Sequence, residues 1–108
     1  MHAWTLVWIA IVLEVAGTTC MKLSDGFTRV WPSVLIFVFY AAAFATLTLA
    51  LKRLDVGLVY AVWAGAGTVL VAIIGVILFR EPVTVLRVFS IALIVAGVVG
   101  LSVGGEHP

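Results

Sequence analysis

Charge is what this sequence has least of. Six Lys/Arg and five Asp/Glu make up 10% of 108 residues, against 65% hydrophobic. Soluble domains are about 25% charged and about 45–50% apolar, so this composition belongs to a membrane protein. The mean hydropathy of +1.33 agrees. Net charge is +1 and no basic run occurs, which argues against a nucleic-acid partner. Cys20 is the sole cysteine, so an intrachain disulfide and any C-x-x-C metal or redox motif are excluded. His2 and His107 lie at the two ends, which argues against a metal centre, and no cofactor is expected. No nucleophile–base pair is visible, so an enzyme is not expected. The length suits one domain, 1–108, without a large soluble appendage.

What is present is four apolar blocks separated by short charged connections. Helices are expected over about 4–21, 33–51, 56–79 and 85–104, each near the roughly 20 residues that cross a hydrocarbon core of about 30 Å. The expected fold is an all-α membrane protein with four transmembrane helices per subunit, in a multi-pass arrangement in the lipid bilayer. The first block lacks a basic leader and an A-x-A site and carries Glu14, so it is read as a retained helix rather than a signal peptide. Lys22 to Pro32 reads as a polar loop with the turn pair Asp25-Gly26, and Pro32 suits a first helical turn. Lys52 and Arg53 fall on one side of the membrane. Lys22, Arg29, Arg80 and Arg87 fall on the other, a weak bias compatible with insertion in both orientations.

Glu14 organises the rest. Ten residues after Trp4, at about 1.5 Å per residue, it sits roughly 15 Å deep, near the bilayer midplane. An ionised group there must face protein, water or a cation, because exposure to lipid costs several kcal/mol. The alternative is to hold a proton, since removal from water disfavours the charged form. A structural Glu would need a basic partner, and no Lys, Arg or His occurs inside the other blocks. A carboxylate choosing between a proton and a cation is the minimum for proton-coupled cation transport.

Ala10, Gly17 and Thr18 lie at i−4, i+3 and i+4 from Glu14, making a small face beside it. Tyr40 with Phe44, and Tyr60 with Trp63, offer aromatic faces, each worth about 0.5–2 kcal/mol to a weakly hydrated cation. An interfacial aromatic belt is the bland alternative for Tyr60 and Trp63, and the expected role of Trp4, Trp8 and Trp31. Gly65 and Gly67 inside the third helix read equally as close packing or as a hinge. Four short helices make a poor transporter alone, so a dimer is expected. Ser90 and Gly97, seven residues apart on the fourth helix, are the candidate interface.

The stretches LEVAGTTCMKLSDGFTRVWPS and GLVYAVWAGAG resemble the small multidrug resistance family, in particular its quaternary-ammonium-exporting branch. The resemblance spans essentially the whole chain. It implies an antiparallel homodimer in the cell inner membrane, with dual topology, in which Glu14 of both copies forms one site where protons and substrate compete. It implies that Ala10, Gly17, Thr18, Tyr40, Tyr60 and Trp63 line that site, that Gly65 and Gly67 form a helix bend, and that Ser90 and Gly97 form the dimer motif. Ala43 and Ala64 stand where the exporters usually carry serine, which bears on substrate range. The segment FREPVTVLR looks more like the guanidinium-exporting branch, but that branch typically carries tryptophan where this chain has Ala16-Gly17.

The expected function is therefore a proton-coupled antiporter exporting lipophilic or quaternary-ammonium cations by alternating access, with protons as the coupling ion. A guanidinium or guanylurea exporter of the same fold is the first competitor. A non-transporting membrane assembly subunit is the competitor of another class, and an obligate heterodimer with a paralogous subunit is a further possibility.

Overall fold

The computed structural model describes residues 2–104, in four helices: α1 Ala3–Leu23, α2 Val30–Ala50, α3 Val56–Phe79 and α4 Val85–Gly104. All four are long and apolar enough to cross a membrane. No strand occurs among the described residues. The helices fall into two compact units, Met1–Leu54 and Asp55–Pro108, in which α1 packs on α2 and α3 packs on α4.

In the first unit the contact face is a helical stripe. Ala3, Val7, Ala10, Ile11, Val15, Gly17 and Cys20 are buried on α1; Ile36, Ala43, Leu47 and Ala50 are buried on α2. Spacings of three, four and seven residues put each set on one side of its helix. Alanines and glycine in these stripes let the backbones approach, which matters where no hydrophobic effect drives helices together in lipid.

The polar loop is shorter than the sequence suggested. α1 continues through Lys22 to Leu23, and α2 begins at Val30, three residues before the expected 33. Pro32 is thus the third helical residue, still among the first turn whose N–H groups have no intrahelical acceptor. The connection is tied by Ser24. Its carbonyl accepts the N–H groups of Thr28 (2.9 Å) and Arg29 (3.1 Å). Its hydroxyl donates to Met21 O (2.8 Å) and accepts Phe27 N–H (3.3 Å). These bonds hold Asp25 (φ 50°), Gly26 (φ 68°) and Phe27 (φ 68°) in three successive left-handed conformations. Two of the three carry side chains, so the surrounding bonds offset a real backbone cost.

The second unit is looser. α4 buries no residue along its whole length. At Gly65 of α3 a Cβ would collide with Val98, so the absent side chain forms a notch that admits α4. α3 is helical without interruption across Gly65 and Gly67, both buried. At its end Arg80 turns left-handed (φ 54°), and Glu81 N–H bonds back to Gly75 O at 3.0 Å. The Glu81 carboxylate lies over Gly75 and pairs with Arg87 at 2.6 Å. Thr84 accepts the Arg87 N–H at 3.1 Å, the N-cap bond that starts α4.

Candidate functional site

Glu14 lies four residues before Thr18, so the i+4 geometry of α1 brings their side chains together, and Thr18 donates to Glu14 Oε1 at 3.0 Å. Packing of α2 adds Tyr40. Its hydroxyl is 2.6 Å from Thr18 Oγ1 and 3.4 Å from Glu14 Oε1. The three side chains form a closed, half-buried ring. Among the described residues, no basic side chain is paired with Glu14. Its partners are hydroxyls, which solvate a carboxylate without neutralising it.

Gly17 is what admits Tyr40. A Cβ there would stand 2.9 Å from two carbons of the Tyr40 ring, closer than carbon atoms pack. The small face of α1 is thus filled by the Tyr40 ring at Gly17, and Ala10 is buried one turn before Glu14. Phe44 continues the aromatic surface on α2: its ring centroid is 5.8 Å from that of Tyr40, tilted by 33°. It is 47% exposed. Ala43 is buried in the helix contact, so the hydroxyl absent from this position is absent from the interior of the unit.

Tyr60 and Trp63 belong to the second unit. They meet edge to face, centroids 5.7 Å apart and planes at 87°. The favoured quadrupole arrangement fixes one ring by the other. Tyr60 is 63% exposed. Ser90 and Gly97 are both exposed on α4, and a Cβ at Gly97 would meet nothing within 4 Å.

Two features escaped sequence reasoning. Met21 brings its thioether sulfur to 3.9 Å from the Tyr40 hydroxyl. Its position seven residues after Glu14 and three after Thr18 was the available signal. The Glu81–Arg87 pair was the other; those residues read only as the ends of neighbouring apolar blocks.

Residues 2–94 match the family model described as Small Multidrug Resistance protein. The chain belongs to this family. It is 50% identical over 99 residues to the uncharacterized membrane protein YvaE of Bacillus subtilis (strain 168), covering 92% of this chain and 83% of that one. It is 43% identical to the quaternary ammonium compound-resistance protein QacG of Staphylococcus sp. (strain ST94), covering 98% of each. It is also 42% identical to a guanidinium exporter of Yersinia pseudotuberculosis serotype I (strain IP32953), covering 92% and 95% respectively. Family membership makes the protein a multi-pass membrane transporter of the small multidrug resistance type, in the bacterial cell membrane, and not an enzyme.

Proposed function

We propose that the protein is a proton-coupled antiporter that exports lipophilic or quaternary-ammonium cations, with Glu14 binding either protons or substrate. The observation that carries this reading is the environment of Glu14: a carboxylate on a membrane-spanning helix, contacted by two hydroxyls and, among the described residues, by no basic side chain. Such a group remains available to a mobile positive charge. The Tyr40–Phe44 and Tyr60–Trp63 ring pairs are aromatic groups of the kind suited to a cation with little hydration shell.

The exchange follows from competition. Protons neutralise Glu14 from the side of higher proton activity, and a cation arriving from the cytoplasm displaces them. Loaded states change their opening between the two sides; both ligands act on one charge, so coupling needs no second regulatory site. The working unit is an antiparallel homodimer in which Glu14 of both copies serves one site. The exposed Ser90–Gly97 face of α4 suits a second copy, because small residues permit close helix approach in lipid. Gly65 and Gly67 are the candidate bend.

A guanidinium exporter is the second reading, favoured by the identity to a relative of that name and by the third-loop segment. Guanidinium presents planar N–H donors and needs acceptor oxygens around it. Alanine at 43 and 64 withholds two hydroxyls that could have served, so the lipophilic cation is preferred. Purified protein in liposomes with a pH gradient tests the choice. Tetraphenylphosphonium should move against the proton gradient faster than guanidinium, and Glu14→Gln should stop both. Exchange by Glu14→Gln at the unmodified rate would sink the mechanism; preferential guanidinium movement would select the second reading.

A further inference from the structure

The ring around Glu14 has more short contacts than hydrogens. Three O···O contacts join Glu14, Thr18 and Tyr40, while the two hydroxyls carry one hydrogen each. With Glu14 ionised, the two shorter contacts take both hydrogens: Tyr40 donates to Thr18, and Thr18 donates to the carboxylate. The 3.4 Å contact is then left without one. With the proton on Oε1, the oxygen that both hydroxyls face, the acid becomes a donor. Thr18 accepts from it, turns its own hydrogen to the Tyr40 oxygen, and releases the Tyr40 O–H from the two short contacts of the ring, leaving it only the long 3.4 Å approach to the acid. The acceptor within reach is the Met21 sulfur, 3.9 Å away.

We propose that Thr18 and Tyr40 form a reversible hydroxyl chain that reports the charge on Glu14, with Thr18 as its positioning residue and Met21 as its outer terminus. The proposal rests on the reading that Glu14 gains and loses a proton in the working cycle. Each hydroxyl keeps its own hydrogen and only rotates; the one covalent bond made or broken is the Glu14 O–H. The consequence is amplification. Around an ionised Glu14 the Tyr40 oxygen turns lone pairs outward, which favour a cation. Around a protonated Glu14 it turns an O–H outward, which opposes one. Proton and cation are thereby set further apart than one carboxylate achieves alone. α2 carries no charged residue and Tyr40 is its one titratable side chain; the charged residues of the unit other than Glu14, namely Lys22, Asp25, Arg29, Lys52 and Arg53, lie in the last turn of α1 or in the connections.

The test is a pH titration of the intact protein in liposomes, following 13C labels on the Glu carboxyls and on the hydroxyl-bearing ring carbon of tyrosine. The chain has two tyrosines, so Tyr40→Phe assigns the signal. In the unmodified protein the Tyr40 signal should move between two plateaus at the same midpoint as Glu14. Thr18→Val should flatten that movement and weaken tetraphenylphosphonium binding at alkaline pH about tenfold, the scale of one hydrogen bond to a charged group. Thr18→Ser should restore both. Met21→Leu should shift the acid plateau of Tyr40 and leave the alkaline one, which keeps the chain testable if Thr18→Val fails to fold. A Tyr40 signal that is flat in the unmodified protein, or follows Glu14 undiminished in Thr18→Val, overturns the chain alone. A Glu14 carboxyl that does not titrate, or keeps its proton against saturating tetraphenylphosphonium, overturns the exchanger reading as well.

Discussion

The two halves of the chain are both hairpins of long apolar helices, yet they are finished to different degrees. In the first unit α1 and α2 share a buried stripe and close a polar ring around Glu14. In the second, α4 buries no residue, and Gly65 of α3 is a notch that admits Val98. Hydropathy cannot produce this contrast, since all four helices are apolar enough to span a membrane. Side-chain size and placement can. In lipid, helices associate where small residues allow close approach and where polar groups need each other. The first unit satisfies both conditions within itself. In the second, a Cβ at Gly97 or Gly100 would meet nothing within 4 Å among the described residues.

The largest expected break in this contrast is Glu14→Gln. It keeps the shape and hydrogen-bonding capacity of the site but removes the titratable charge, so pH-driven cation movement in liposomes should fall to background while the helical circular dichroism stays unchanged. Next comes Gly17→Val. The added carbons meet the Tyr40 ring, and overpacking of this kind costs about 1–3 kcal/mol. A denaturant titration in detergent should show that loss in the monomer, with Tyr40→Ala recovering part of it. Gly97→Val should behave oppositely. Nothing in the chain opposes the new side chain, so monomer stability should hold, while cross-linked dimer should fall as a similar energy is taken from association. Loss of monomer stability by Gly97→Val would erase the distinction between the halves. Smallest is Glu81→Gln. The pair with Arg87 is partly exposed, and such ion pairs are worth about 0–1 kcal/mol, so stability should change by less than about 1 kcal/mol and transport should persist.

Much of the site was legible because it lies on one helix. Glu14 and Thr18 at i, i+4 share a face whatever surrounds them, and the absence of basic residues in the other blocks is a fact of composition. Tyr40 was recognisable as an aromatic of the right kind, but its closure of the ring was not, because that needs the register of α2 on α1. The same register turned Gly17 from empty space beside a solute into the seat of a ring. Gly65 was balanced between packing and hinge. Its contact with Val98, 33 positions on, supplies the packing role and leaves the bend to experiment. The early start of α2 was missed because Arg29-Val30-Trp31 looked like a polar connection. Backbone bonds through Ser24 make the turn in fewer residues than the charge pattern suggested.

By itself the sequence determined the solvent, the number of crossings and the one residue whose chemistry the membrane makes costly. Those properties depend on composition and on period along a single helix, both local. The tertiary structure decided which hydroxyls meet Glu14, which glycine admits an aromatic ring, and which helix is left without a cover. Contacts of that kind depend on ångström-scale offsets between helices, and a run of apolar residues specifies none of them.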